Sequence, residues 1–269
     1  MKLINFLFNS NIWLASGAAA LSAATCYQFD EKFNFKIIAL TFFYFLLIYN
    51  VHGILNRKKN RLFDKTTFDY YKGKYSLIFC VLSMMLYGFI LIPLSLYCKL
   101  IGVFYLIGGF SYGSLVLPFK KDRKKLKDKA WFKTLSTVIV IVSFLFAFPY
   151  LVVPIENTEG VVEWMLFLFI HISTNTLIGD MRDMKVDKYH KSKTIAIVLG
   201  FSLMKKLLLA VNILMCLYWT TFQFRIEYAA TIVVTILFLS MLKESTKTKF
   251  YNYIDIAHFV PLLSLMFLG

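Results

Sequence analysis

Three aspartates follow a long apolar stretch and are spaced so that a helix would place them on one face. The stretch is Val161–Ile178, which is long enough to cross a bilayer. The aspartates are Asp180, Asp183 and Asp187. At about 100° per residue they fall within roughly 60° of arc. Because like charges crowded at a membrane boundary repel one another, we expect a cation to neutralise them.

The cation that these carboxylates predict is Mg²⁺. This ion prefers oxygen ligands and is commonly bound by one or two carboxylates together with the phosphate oxygens of a substrate. We therefore expect a phosphate-bearing ligand at this site. The alternative is a solvated helix end with salt bridges to Arg182, Lys185 or Lys188. Repulsion between like charges three and four residues apart argues against that alternative.

The composition indicates a membrane protein. The chain has 269 residues, of which 59% are hydrophobic and 17% are charged. A soluble domain would carry about a quarter charged residues. The apolar residues fall in long runs, which predicts an all-α polytopic membrane protein. The net charge of +15 resides largely in short loops between these runs, a pattern typical of cytoplasmic loops. We therefore predict no nucleic-acid partner.

The apolar runs predict about nine transmembrane helices in a single domain, residues 1–269. The predicted spans are Asn11–Tyr27, Phe35–Leu55, Ser76–Tyr97, Leu100–Leu117, Leu135–Val153, Val161–Ile178, Thr194–Tyr218, Tyr228–Leu242 and Ile254–Leu268. Basic loops follow the even-numbered spans, which predicts a cytoplasmic N-terminus, an outside C-terminus and cytoplasmic active-site loops. We expect an integral protein of the bacterial inner membrane, in contact with membrane lipid.

Polar side chains near the end of the second span are further candidates. Asn50 and His52 interrupt an apolar run, and such groups tend to face a cavity or a partner helix. The Asn50 amide oxygen is able to bind a metal ion or a substrate. His52 is at least as well explained as a hydrogen-bonded interhelical histidine as it is as a ligand.

Two further pairs complete the candidate substrate site. Lys120 and Lys121 follow the fourth span at the membrane boundary, where they would neutralise a diphosphate. His171 and Asn175 lie one helical turn apart on the sixth span, before the aspartates. Both would either contact the reacting end of a substrate or link helices, and the residues alone leave these alternatives open.

The stretch Gly179–Gly200 resembles a motif of the UbiA superfamily of intramembrane prenyltransferases. It reads GDMRDMKVDKYHKSKTIAIVLG and is similar to the second aspartate-rich motif of that family. Lys193-Thr194 and Leu199-Gly200 match the segment that trails the motif. The residues from Tyr112 to Lys121 are similar to the basic loop after the fourth helix of the family.

The resemblance implies a UbiA-like helical bundle around a central cavity and a specific reaction. An isoprenyl diphosphate would donate its isoprenyl group to an aromatic or other lipophilic acceptor, with Mg²⁺ as cofactor. By resemblance, Asp183 and Asp187 are the principal metal ligands and catalytic residues, and Asp180 is either an additional ligand or a group that supports the ligands. Lys120 and Lys121 would contact phosphate. Metal and lysines would stabilise the departing diphosphate.

The chain departs from the family at the first aspartate-rich motif. Asn50 matches its asparagine, but Val51, Ile54 and Lys58 occupy the three aspartate positions. Loss of three carboxylates removes or weakens one Mg²⁺ site. We hypothesise that Arg57 and the basic residues after it supply positive charge directly to the substrate in place of that ion.

Two other functions compete with prenyl transfer. A membrane-embedded terpene cyclase would share the ionisation step and quench the cation internally. A non-catalytic membrane protein that binds an isoprenyl diphosphate would tolerate the loss of the first motif.

Overall fold

The structure is a computed structural model that describes residues 2–30, 32–56, 65–112, 130–153, 158–189, 192–223, 225–246 and 248–268. Every regular element in these ranges is helical. The helices are α1 (Lys2–Asn9), α2 (Ile12–Asp30), α3 (Phe35–Leu55), α4 (Lys65–Lys72), α5 (Lys74–Leu91), α6 (Leu96–Tyr112), α7 (Ala130–Val152), α8 (Thr158–Tyr189), α9 (Ile195–Leu199), α10 (Phe201–Thr221), α11 (Ile226–Met241), α12 (Thr248–Tyr251), a 3₁₀ helix (Asn252–His258) and α13 (Val260–Leu268).

Five helices in the described ranges are long and apolar enough to cross a membrane. They are α3, α5, α7, α8 and α10. Three shorter apolar segments accompany them, and these are Leu96–Phe110, Ile226–Met241 and Tyr253–Phe267. The predicted all-α polytopic architecture is confirmed. The count of nine spans stays a prediction.

Large apolar side chains on α5, α6 and α10 lie on the outside of the protein. Met85 and Phe89 on α5, Phe104 on α6 and Leu214 on α10 are all more than half exposed. Exposed apolar surface that extends along whole helices is incompatible with water and suits a lipid environment. Together with the five long apolar helices, these faces identify an integral membrane protein.

The helices form two compact units. The first comprises Met1–Val116 and Phe144–Ile155, and the second comprises Leu117–Ser143 and Glu156–Gly269. Helix α7 contributes its first part to the second unit and the remainder to the first. The single domain expected from the sequence stays a prediction.

Small residues bring α2 and α3 of the first unit close together. Ala15, Ala24 and Cys26 on α2 are fully buried. The Thr41 hydroxyl on α3 donates a hydrogen bond to Ser22 Oγ at 3.0 Å. Small side chains with an interhelical hydrogen bond are a common means of packing helices in membranes, where burial from water supplies no driving force.

Aromatic rings fill the centre of the first unit. Tyr44 stacks on Phe144 with ring centroids 4.0 Å apart, and its hydroxyl donates to the Tyr105 carbonyl at 3.2 Å. The Tyr87 hydroxyl donates to the Gly102 carbonyl at 3.2 Å. The polar ends of these buried tyrosines are thereby satisfied by backbone acceptors.

A second aromatic cluster joins α8, α10 and α11 in the second unit. Phe167 stacks on Tyr228 at 4.7 Å, and Trp219 contacts the same tyrosine edge to face at 4.9 Å. Trp164 lies one turn before Phe167, with ring centroids 5.1 Å apart. This cluster holds the apolar part of α8 in place, and α8 is the helix that continues into the aspartates.

Candidate active site

Helix α8 joins the apolar span and the three aspartates in one element. It runs without interruption from Thr158 to Tyr189, so Asp180, Asp183 and Asp187 are all helical, as their spacing predicts. Met181 and Met184, which lie beside the aspartate face of the helix, are buried in a hydrophobic cluster with residues of α9 to α12. Burial of these methionines fixes the rotation of the helix and hence the direction of the aspartate face.

The three aspartates have different environments. Asp180 is 3% exposed, and its Oδ2 accepts a hydrogen bond from the Thr134 hydroxyl of α7 at 2.7 Å. Asp187 is 1% exposed, whereas the Asp183 side chain is 36% exposed. Because a buried carboxylate is costly without polar partners, the Thr134 hydroxyl stabilises Asp180 in place.

An arginine on the same helix engages the most exposed aspartate. Arg182 Nε donates to Asp183 Oδ1 at 2.8 Å, and Arg182 Nη2 donates to Oδ2 at 3.2 Å. The guanidinium also interacts electrostatically with Asp180 and Asp255. Burial raises the pKa of the nearby Tyr251 phenol, and the Arg182 charge opposes that rise. A salt bridge to Arg182 was expected under the alternative of a solvated helix end, and it is present. Arg182 thus supplies a positive charge from the protein itself to the aspartate.

The donor chemistry of α8 fits a shared magnesium ion better than a protein cage. Within the described ranges, no three His, Cys, Asp or Glu side chains lie close enough together to hold a metal ion. Mg²⁺ does not need such a cage, because one or two carboxylates and substrate phosphate oxygens commonly suffice. Asp183 and Asp187 meet that requirement in residue type. Mg²⁺ and its ligands stay predictions.

The segment that trails the aspartates makes a capped turn. Thr194 Oγ1 accepts from the Ile197 backbone N–H at 3.4 Å, which caps the start of α9. Gly200, at the end of α9, has a φ of 77°. Glycine adopts this conformation without a steric penalty, and the chain then enters α10. The threonine and the glycine of the resembling segment therefore each have a local structural reason.

Asn50 is fully engaged within the first unit. Its Nδ2 donates to the carbonyls of Ser10 and Leu46, both at 2.8 Å. Its Oδ1 accepts from the Tyr70 hydroxyl at 3.2 Å. Burial raises the pKa of the Tyr70 phenol well above its ordinary value, so this group stays a neutral donor. A substrate role for Asn50 stays a prediction.

His52 links two helices, which is one of its two sequence interpretations. His52 Nε2 lies 2.8 Å from the Gly109 carbonyl of α6, so that nitrogen carries the proton and donates. The remaining basic candidates of the first half of the chain, Arg57, Lys120 and Lys121, lie outside the described residues.

His171 and Asn175 meet two residues that sequence analysis missed. His171 Nε2 lies 2.8 Å from Nδ1 of His258, and Asn175 Nδ2 lies 3.3 Å from the same atom. His258 Nε2 lies 3.7 Å from Asp255 Oδ1. Helix linkage, one of the two alternatives for His171 and Asn175, is therefore observed. Substrate contact stays a prediction.

A signal for the missed residues was present in the sequence. Asp255 and His258 are ionisable groups three residues apart within the predicted span Ile254–Leu268. Such groups inside an apolar run usually face a partner or a functional site. The same rule singled out Asn50 and His52, and its application to the last span would have found this pair.

Two solved structures share this fold over nearly the whole chain. One is a digeranylgeranylglyceryl phosphate synthase, 16% identical, with 98% of this chain and 97% of that chain covered and a TM-score of 0.57. The other is the apo structure of a UbiA homolog from Aeropyrum pernix K1, 14% identical, with 94% and 98% covered and a TM-score of 0.64. No protein-family model and no curated protein matches the chain.

The comparisons define the fold of the chain. At identities of 14% and 16% the likeness concerns backbone architecture, and both structures have the UbiA-type membrane fold. The architecture expected from the resemblance of Gly179–Gly200 is thereby confirmed.

Proposed function

We propose that this protein transfers an isoprenyl group from an isoprenyl diphosphate to a lipophilic acceptor within the membrane. One observation carries the proposal, namely that a membrane-length apolar helix continues without a break into Asp180, Asp183 and Asp187. The UbiA-type fold supports it, since its solved relatives include a synthase of a prenylated glyceryl phosphate. Carboxylates at the end of a membrane helix suit a donor with an apolar tail and an anionic head when a divalent cation lies between the two sets of negative charges.

The residues of α8 have distinct roles in this proposal. Asp183 and Asp187 would hold Mg²⁺, which would supply positive charge to the departing diphosphate. Asp180 is a further ligand, and the hydroxyl of Thr134 orients its carboxylate. The Arg182 guanidinium, which donates to Asp183, is also a group that would bind phosphate oxygens.

Basic residues compensate for the missing carboxylates of the first motif. Arg57, Lys120 and Lys121 contribute positive charge to the diphosphate, which one metal ion alone would leave partly unneutralised. In this arrangement the enzyme needs Mg²⁺ at the α8 site and no second ion.

The test is pyrophosphate release by the protein purified in detergent. Isoprenyl diphosphates of several chain lengths are supplied with lipophilic alcohols, phenols and amines, with and without Mg²⁺. We expect release that needs both acceptor and Mg²⁺. Asp183→Asn and Asp187→Asn should each lower it by about 100-fold or more, because interactions that stabilise developing charge are lost. Lys185→Gln, an exposed change on the same helix, is the matched control and should retain activity.

Three outcomes contradict the proposal. Pyrophosphate release that is undiminished in both aspartate variants shows that Asp183 and Asp187 are not the metal ligands. A cyclised product formed without acceptor identifies a terpene cyclase. Thermal stabilisation by isoprenyl diphosphates with no release from any donor and acceptor pair identifies a binding protein.

A further inference from the structure

Four polar residues form a connected polar network inside the second unit, apart from the aspartate face of α8. They are Asp255, His258, His171 and Asn175. Asp255 lies 3.7 Å from His258, and His258 lies 2.8 Å from His171. Asn175 Nδ2 is within 3.5 Å of both imidazoles. The proposed metal site uses none of these contacts.

The polar network connects α8 to the 3₁₀ helix, in surroundings that are largely shielded from solvent. His171 and Asn175 lie one turn apart on α8, and Asp255 and His258 lie on the 3₁₀ helix. His171 is 3% exposed and His258 is 7% exposed. The Phe167 ring lies parallel to the His171 ring, with centroids 5.6 Å apart. In such surroundings electrostatic interactions are strong and a polar group without a partner is costly.

Asp255, at one end of the polar network, influences which histidine nitrogens carry a proton. Asp255 Oδ1 lies 3.7 Å from His258 Nε2, too far for a hydrogen bond, but a negative charge on Asp255 would favour a proton on that nitrogen electrostatically. His258 Nδ1 is then an acceptor, and His171 Nε2 must donate across the 2.8 Å contact. The lone pair of His171 is consequently on Nδ1. The Arg182 guanidinium of α8, which is paired with Asp183, also interacts electrostatically with Asp255.

The Asn175 side chain presents a second acceptor. Its Nδ2 is directed to the imidazoles, while its Oδ1 is buried and has no hydrogen-bond partner in the described part of the chain. Buried polar atoms in native proteins are nearly always paired, so this acceptor is open to a donor from a ligand or from water. His171 Nδ1 and Asn175 Oδ1 belong to side chains on one helix face.

We infer that His171 is the catalytic base that takes the proton of the acceptor substrate, and that the acceptor carries two polar hydrogens, as in a diol or a primary amine. Asn175 Oδ1 holds one hydrogen, and the other passes to His171 Nδ1. His258 and Asp255 are positioning residues that set the tautomer of His171. The inference rests on the proposed prenyl transfer and assigns its acceptor class.

The step balances in atoms and charge. The allylic C–O bond of the donor breaks and its electron pair leaves with the diphosphate. The acceptor heteroatom forms the new bond to that carbon, and its proton passes to His171 Nδ1. The Nε2 proton of His171 then moves to His258 Nδ1, which places the positive charge beside the Asp255 carboxylate.

The spacing along α8 is compatible with this assignment. Asn175 precedes Asp183 by two turns and a fraction, about 12 Å along the axis at about 1.5 Å per residue. A diphosphate group and a small acceptor can bridge that separation together. The metal site thus contacts the diphosphate of the donor, and the polar network contacts the acceptor.

The main experiment compares transfer kinetics and pH profiles in His171→Gln, His258→Gln and Asp255→Asn. For His171→Gln we expect kcat of transfer to fall by about 100-fold or more, the usual contribution of a general base, and the acid limb of the pH profile to vanish. Thermal stabilisation by a non-reactive isoprenyl thiolodiphosphate should be unchanged, because donor binding is separate. His258→Gln and Asp255→Asn should move the acid limb and lower kcat less.

The matched control is Thr174→Val, which removes a different buried interhelical contact of α8. Thr174 Oγ1 accepts from Asn212 Nδ2 at 3.2 Å. This variant should lose thermal stability and keep the wild-type pH profile. If His171→Gln behaves in the same way, the base assignment is overturned while Asp183-dependent transfer still stands. If the wild type transfers to no acceptor, both proposals fall.

Two further measurements test the polar network. Nitrogen-15 spectra of labelled histidines should show His171 and His258 both protonated on Nε2, and Asp255→Asn should abolish that preference for His258. The opposite tautomers overturn the inference without any assay of turnover. Among acceptors, a diol or amine should exceed its singly hydroxylated analogue by at least 10-fold in kcat/KM, and Asn175→Leu should remove that preference. Equal use of both acceptors overturns the acceptor class.

Discussion

At the scale of single residues, the aspartates of α8 share a face but differ in what surrounds them. Asp180 is buried against Thr134, whereas Asp183 is about one-third exposed and paired with Arg182. The helical period predicts the common face, because it depends only on spacing. It does not predict Thr134, which lies 46 residues earlier on another helix. A partner brought in by tertiary packing leaves no mark in the local sequence.

The Thr134 hydroxyl should contribute measurably to stability. Thr134→Val keeps the shape of the side chain but removes the donor to a buried carboxylate oxygen. We expect the free energy of unfolding to fall by about 1–3 kcal/mol, the usual cost of losing the partner of a buried polar group. The measurement is unfolding by a denaturing detergent, followed by circular dichroism.

Thr134→Ser is the control for this variant, because serine retains the hydroxyl. It should remain within about 1 kcal/mol of the wild type, the cost of one buried methylene. Equal destabilisation by valine and serine would show that the methyl group, and not the hydrogen bond, matters at this position.

At the scale of elements, the sequence located helices better than it located their ends and interruptions. The predicted span Val161–Ile178 is part of α8, which continues to Tyr189. The predicted span Thr194–Tyr218 is two helices separated by Gly200. Hydropathy detects the apolar part of a helix, so it cannot report a polar continuation of that helix or a turn between two apolar helices.

A lysine inside an apolar run is explained by the end of a neighbouring helix. Lys205 Nζ donates to the carbonyls of Ser240 and Leu242 at 3.0 and 2.7 Å. These carbonyls lie at the C-terminus of α11, where the backbone has unpaired acceptors and a partial negative charge. The acceptors lie 35 and 37 residues further on, beyond any local pattern.

The turn at Gly200 should tolerate no other residue well. Its φ of 77° is unfavourable for any side chain with a Cβ, so Gly200→Ala should destabilise the protein by about 1–2 kcal/mol. Gly108→Ala is the control, because Gly108 is helical and an added Cβ meets open space there. Alanine at 108 should be neutral or stabilising. Thermal unfolding in one detergent compares the two, and equal midpoints would contradict the assigned backbone conformation.

A second glycine fixes the contact between α3 and α4. A Cβ at Gly53 would overlap the ring of Tyr71, whose hydroxyl accepts from Asn11 Nδ2 at 2.7 Å. Gly53→Ala must displace that ring, and we expect a loss of about 1–3 kcal/mol from overpacking. Gly88→Ala on α5 has open space and should cost nothing. Unfolding midpoints measure both, and a stable Gly53→Ala protein would show that Tyr71 moves freely.

The irregular last span explains why Asp255 and His258 were missed. An apolar helix was expected over Ile254–Leu268, but the chain forms a 3₁₀ helix up to His258 and an α-helix only from Val260. In a 3₁₀ helix residues three apart lie directly above one another. Asp255 and His258 are therefore aligned more closely than an α-helical projection of the sequence would place them.

At the scale of the whole molecule, the fold was predictable because the membrane restricts the alternatives. A chain with long apolar runs must satisfy its backbone within each span, which leaves helices as the simple solution. The UbiA-type architecture then followed from Gly179–Gly200 and is shared with structures only 14% and 16% identical. Details that depend on side chains of distant helices, such as the polar network, could not be predicted from spacing.

Orientation in the membrane is testable with single cysteines. The distribution of Lys and Arg predicts that Phe222 faces the outside and Glu244 the cytoplasm. Both side chains are exposed. The background variant lacks the four native cysteines, which are Cys26, Cys80, Cys98 and Cys216.

In intact cells, a membrane-impermeant maleimide should label Phe222→Cys and not Glu244→Cys. Permeabilised cells should show labelling of both, which controls for reactivity. Labelling of Glu244→Cys alone before permeabilisation would invert the orientation and place the aspartates of α8 outside the cell.

The length of α8 makes the bilayer itself a variable of the reaction. Its 32 residues extend over about 48 Å, against about 30 Å for a typical hydrocarbon core. A continuous helix of that length holds its aspartates at a fixed distance from the aromatic pair Trp164 and Phe167. Lipids with longer acyl tails would submerge the acids, and shorter tails would lift them into the headgroups. Acyl composition would then tune turnover without any change in the protein.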